Sequence, residues 1–117
     1  VARGELSFCF GLTEPHAGSD AASIATRAVR DGDEFVIDGQ KVFTSGMDIS
    51  DYCLLVTRTA TSEKKQHGIT CFLVPNPTEG LKIEEWMWTF NMPTDHPRLS
   101  FTNVWVPDST ILGCRQC

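Results

Sequence analysis

The stretch Leu12 to Asp20, LTEPHAGSD, sets two hydroxyls, two carboxylates and a His around a Pro and a Gly. Such side chains either bond nearby backbone groups in a turn or face a ligand from a loop. The stretch lacks the GxSxG of a nucleophile elbow, and the chain contains no GxGxxG or Walker sequence. Serine acyl transfer and the usual nucleotide-phosphate loops therefore lack their motifs. A second cluster, KVFTSGMD from Lys41 to Asp48, ends a strand pattern in Phe43-Thr44-Ser45-Gly46. Read structurally, Phe43 packs in the core and Ser45 sits in a turn. Read functionally, an aromatic face and two hydroxyls stand beside a Gly that admits a close ligand. That set suits a planar heterocycle, which needs a stacking surface and a few hydrogen bonds.

The elements that must position these clusters are strands. Apolar residues recur mostly with period two. Leu6 to Leu12, Ile24 to Arg30, Tyr52 to Thr57, Gly68 to Val74, Leu81 to Trp88 and Arg98 to Val106 read as strands. In RDGDEFVIDGQKVF, Asp31-Gly32 and Asp38-Gly39 both read as hairpin turns. Between them, Phe35 and Ile37 share one face while Glu34, Val36 and Asp38 share the other. Ala60 to His67 reads as an exposed loop and NMPTDHP as a Pro-bounded loop. No segment is long enough for a stable helix. About eight short strands with turns between them predict an all-β sandwich or barrel.

The length, 117 residues, suits one domain. A net charge of −5 without a basic stripe argues against a nucleic-acid partner. No apolar run reaches membrane-spanning length. Cys9, Cys53 and Cys71 fall inside apolar runs, as free thiols acting as small hydrophobes do. With five cysteines and no open Asn-x-Ser/Thr sequon, the expected setting is reducing and intracellular. Cys114 and Cys117 form a CxxC, half of a zinc site with no second half, so no metal site is expected. The N-terminus lacks a signal-peptide core. The lack of an initial Met suggests a piece of a longer chain.

LTEPHAGSD followed by DGQKVFTSG resembles the middle, β-barrel domain of the acyl-CoA dehydrogenase family. The resemblance continues through DYCLLVTRT, GITCFLVP, GLKIEEWMW and LSFTNVWVP, from about Leu6 to Gly113. It implies a closed or partly open antiparallel β-barrel of about eight strands. Residues 1–117 would be one such domain of a three-domain flavoenzyme that binds FAD and dehydrogenates acyl-CoA thioesters.

By position, the resemblance puts Phe10, Gly11, Leu12 and Thr13 at the pyrimidine end of the flavin. Phe43 matches the aromatic, often Trp, that lies on the flavin face. Thr44 and Ser45 follow it, Ser45 matching the hydroxyl near N5 and O4. Ser19 matches a contact to the pantetheine–phosphate part of CoA. Glu14 and Asp20 are expected to shape the loop by capping backbone amides. His16 occupies the motif's variable position. The family's catalytic Glu lies in a C-terminal helical domain, and no glutamate of this chain matches it. The resemblance implies an acyl-CoA substrate, an electron-transfer acceptor and a homo-oligomeric parent. The expected compartment is the mitochondrial matrix in a eukaryote, the cytoplasm in a bacterium, or the peroxisome. An acyl-CoA oxidase middle domain and a non-catalytic flavin- or CoA-binding or structural module remain alternatives.

Overall fold

A computed structural model describes residues 1–60, 63, 64, 66–89 and 92–113. Eight strands form one sheet: β1 (Phe8–Gly11), β2 (Arg27–Asp31), β3 (Glu34–Lys41), β4 (Tyr52–Arg58), β5 (Ile69–Pro75), β6 (Leu81–Thr89), β7 (Met92–Pro107) and β8 (Ile111–Leu112). Their order is β6-β7-β3-β2-β4-β5-β8, with β1 added beside β4. The fold is thus all-β, but the sheet does not close on itself. Nor is it wholly antiparallel: β1 and β2 both run parallel to β4, and β2 meets β4 through the single pair Arg27↔Arg58.

The alternation of side chains builds the core. Cys53, Leu55 and Thr57 of β4 point inward with period two, as do Phe35 and Ile37 of β3. The apolar ones among them meet Phe72, Val74, Leu99, Phe101, Val104 and Val106 in one buried cluster. The Phe35 and Phe72 rings pack edge to face, 5.0 Å between centroids. Cys9 and Cys53 are buried free thiols, and Cys71 is a free, half-buried one. Cys114 and Cys117 lie outside the described residues. Among the described residues no helix is long and apolar enough to cross a membrane.

Two turn assignments are corrected. Asp31-Gly32 does turn β2 into β3, and the register Asp31↔Glu34 closes that hairpin. Asp38-Gly39 does not turn. β3 runs through it to Lys41, with a register shift against β7 between Ile37 and Gly39. Gly39 is required there for another reason. Its φ is +154°, and a Cβ would stand 2.7 Å from the Thr26 Cα. Glycine in a strand often marks such a bulge or close backbone approach.

The second correction concerns NMPTDHP. From Met92 onward it is not a loop but the start of the 16-residue β7; Asn91 lies outside the described residues. Pro97 and Pro93 fall opposite Trp86 and Trp88, where the β6–β7 register shifts. An interrupted ladder tolerates residues that cannot donate a backbone hydrogen bond. Two residues of the expected loop Ala60 to His67, at 63 and 64, form a bend, and residues 66–68 form a turn. Positions 61, 62 and 65 lie outside the described residues.

Gly39→Ala is expected to destabilise the chain by about 1–3 kcal/mol, because the new methyl overpacks against Thr26. Urea unfolding followed by tryptophan fluorescence measures this, and an unchanged midpoint would contradict the close approach.

Candidate functional site

The LTEPHAGSD loop leaves β1 and is fastened to the far end of β3. The Val42 amide donates to the Thr13 carbonyl at 2.8 Å. The Lys41 ammonium donates to the Leu12 carbonyl at 3.0 Å and to Glu14 Oε2 at 2.8 Å. Glu14 in turn accepts from the Ala25 amide at 2.6 Å and the Thr26 amide at 3.0 Å. The expectation that Glu14 caps backbone amides thus holds. Asp20 shapes its loop differently. It makes no side-chain cap bond to the short 3-10 turn that follows, and it accepts from the Ser23 hydroxyl instead.

Lys41 is fully buried and Glu14 nearly so. Burial pulls the Lys41 ammonium below its ordinary value, against the opposing pull of Glu14. Burial alone would raise the Glu14 carboxyl. The Ala25 amide, Lys41 and Thr26 outweigh it, and the net shift is downward. Sequence reading missed Lys41. The signal was present, because Phe35, Ile37 and Lys41 continue one inward-facing series of odd positions along β3.

Beyond Lys41 the chain makes an unusual step. Phe43 has φ +55°, a left-handed conformation that costs a non-glycine residue about 1–3 kcal/mol and tends to occur at functional sites. The residue is 46% exposed rather than packed in the core. Thr44 turns inward and is fully buried, while Ser45 faces out. The Thr44 amide donates to the Pro97 carbonyl at 3.3 Å. The Thr44 hydroxyl oxygen is buried with no partner among the described residues. Ser45 Oγ lies 2.5 Å from His96 Nδ1. The turn that follows is held by Asn76, whose side-chain amide donates to the Met47 and Ser50 carbonyls at 2.7 and 2.8 Å.

Thr13 and Phe43 line one open groove of 590 Å³ together with Glu14, Pro15, His16, Ala17, Gly18, Val42, Met87 and Arg98. The Thr13 side chain makes no hydrogen bond to the described residues, whereas Arg98 is held by Glu85 at 2.8 Å and Gln40 at 3.4 Å. The other expected site residues do not line this groove. Phe10 is half exposed on the outer face of β1. Gly11 faces the core, where an added Cβ would meet Cys53 Sγ and the Leu55 side chain at 3.2 Å. Leu12 contributes its carbonyl to Lys41, and Ser19 is exposed one residue past Gly18. His16 borders the groove, and so do Met87 and Arg98, neither of which the sequence had singled out.

The chain is an all-β sheet domain with two polar loops brought to one open groove. The description "Acyl-CoA dehydrogenase, middle domain" matches residues 9–104. The chain belongs to the acyl-CoA dehydrogenase family and corresponds to its middle domain. It is 45% identical to acyl-CoA dehydrogenase FadE26 of Mycobacterium tuberculosis, over 97% of this chain and 28% of that protein. With FadE29 of the same organism the identity is 38%, over 97% of this chain and 29% of that protein. The solved ChsE4–ChsE5 complex of Mycobacterium tuberculosis superposes with a TM-score of 0.89 at 37% identity, covering 99% of this chain and 29% of that one. A glutaryl-CoA dehydrogenase of Mycobacterium smegmatis in complex with FADH2 gives 0.82 at 32% identity, covering 98% and 28%. The chain thus spans under a third of the length of these relatives.

Lys41→Met leaves the Glu14 carboxylate buried without its cation and is expected to cost about 3–5 kcal/mol. Adding Glu14→Gln should recover part of that loss. Chemical denaturation of both variants tests the coupling, and losses that simply add would contradict it. The ordinary value of a Glu carboxyl is 4.5, and Glu14 lies below it when folded. Between the two values the unfolded chain binds more protons, so stability falls as pH drops through that interval. Glu14→Gln should flatten this acid limb in denaturation curves taken from neutral pH downward.

Proposed function

We propose that this chain forms the flavin- and acyl-CoA-facing part of an FAD-dependent acyl-CoA dehydrogenase. One observation carries the reading: the Val42–Thr13 backbone bond joins the two motif loops, so that Thr13 and Phe43 share one groove. The residues fit a flavin. An exposed ring offers a stacking face, and the Thr13 and Thr44 hydroxyls make no bond to the described residues. The family relationship and the relative solved with FADH2 support the same cofactor.

Bound FAD would supply the two-electron oxidation of the acyl α,β bond. The residues of this chain bind and orient. Phe43 would cover one face of the ring, a smaller π surface than Trp would give. The Thr13 hydroxyl and the backbone of Phe10 to Thr13 would hold the pyrimidine end, where donors would stabilise the charge that develops on reduction. Ser45 would bond the N5 and O4 edge of the ring, and Ser19 would hold the pantetheine–phosphate portion of CoA.

Among the described residues, the groove holds no free carboxylate to remove the α-proton. Glu14, which borders it, is committed to Lys41 and two amides. In this reading the base belongs to another part of the protein, and so does the partner surface for an electron acceptor. Residues 1–117 then act as one domain of the whole enzyme.

In the full-length protein, Thr13→Ala is expected to lower kcat about ten-fold or more, the scale for removing one donor from developing charge. Phe43→Ala should weaken FAD binding and shift the visible flavin spectrum. Dye-reduction kinetics with acyl-CoA substrates and FAD titration measure the two effects. A flavin-loaded protein that reduces no dye with any acyl-CoA would sink the dehydrogenase reading. Flavin loaded as before by both variants, with unchanged spectra and kinetics, would remove the groove from the site.

A further inference from the structure

The short contact between Ser45 Oγ and His96 Nδ1 has no role in the reading above. It joins two segments far apart in sequence, the turn after β3 and the early part of β7. Its geometry is held from one side, because the Thr44 amide bonds the Pro97 carbonyl between the neighbouring residues. His96 is half-buried, and Ser45 is exposed on the outward side of the turn, as Phe43 is.

A serine hydroxyl has one proton and two lone pairs, and a neutral imidazole has one donor and one acceptor nitrogen. Two arrangements therefore satisfy the contact. If Ser45 donates to Nδ1, its proton is spent and it presents only lone pairs outward. If His96 carries its proton on Nδ1 and donates, the Ser45 proton is released for an external acceptor. The N5 and O4 edge of an oxidised flavin offers acceptors. A ligand presenting that edge therefore selects the second arrangement, His96 Nδ1–H to Ser45 Oγ–H to flavin.

The geometry points to His96 as a positioning residue that sets the donor direction of the Ser45 hydroxyl toward the flavin edge. This rests on the flavin reading given above. His96 touches neither flavin nor substrate in this arrangement and acts through Ser45. The cost of a wrong direction is the loss of one hydrogen bond and an oxygen lone pair facing another acceptor.

A double-mutant cycle on FAD affinity in the full-length protein tests the assignment. Ser45→Ala and His96→Leu are each expected to weaken FAD binding about five-fold, the scale of one net hydrogen bond. The double variant should be no weaker than either single one. His96→Asn, whose amide can place a donor near the Nδ1 position, should stay close to wild type. Both single variants should also move the flavin reduction potential in the same direction, which a purely structural defect would not require. Thermal melting of each variant shows that the fold persists. Affinity losses that multiply in the double variant overturn the proposal. So does His96→Leu with unchanged affinity and potential, or His96→Asn as impaired as His96→Leu. A wild-type protein that takes up no FAD overturns the flavin reading itself, and this assignment with it.

Discussion

A single buried cation organises the site. Lys41 lies at the end of β3 with its ammonium out of water, bonded to the Leu12 carbonyl and the Glu14 carboxylate. Glu14 carries the connection on to the amides of Ala25 and Thr26 ahead of β2. Three segments distant in sequence are thereby tied to one charge pair. Desolvating two ions costs several kcal/mol, and their attraction roughly offsets it. The pair therefore adds little net stability. Its effect is to fix register, since any other placement of the loop leaves a charge buried alone. Exposed pairs such as Arg98–Glu85 exert no such control, because solvent screens them.

The groove follows from that constraint. With Leu12 and Glu14 held on Lys41, Thr13 falls beside Val42 and takes its amide. The chain then leaves β3 through the left-handed Phe43, which turns an aromatic ring outward while Thr44 goes in. Asn76 ties down the turn beyond, so the strain at Phe43 is held by its surroundings. Loops placed this way on a rigid sheet commonly carry binding sites. Membership in the acyl-CoA dehydrogenase family gives the groove its most economical explanation.

Much of the sheet was legible because period two survives wherever one face is buried. The inward residues of β4 and the pair Phe35 and Ile37 could be read directly. Asp38-Gly39 misled because Asp-Gly signals a hairpin, whereas here Gly is present to let β3 pass close to Thr26. The prolines of NMPTDHP suggested a loop, but they occupy irregular rungs where β7 needs no donor. Parallel pairing of β1 and β2 with β4 left no local trace, since it joins segments through contacts far apart in sequence. The site was legible only in outline. The two motif loops stood out by composition, while their meeting depended on Lys41, a charged residue in an inward position that a polarity pattern assigns to the surface.

The central claim is that the two loops around Lys41 form one flavin-facing surface. Amide chemical-shift mapping of the 15N-labelled chain during FAD titration tests it most directly. The account predicts saturable shifts concentrated at Gly11 to Thr13 and Phe43 to Ser45, moving together with one dissociation constant. Shifts concentrated instead at the distant groove around Gly80 and Trp105 would contradict it, as would a spectrum that FAD leaves unchanged.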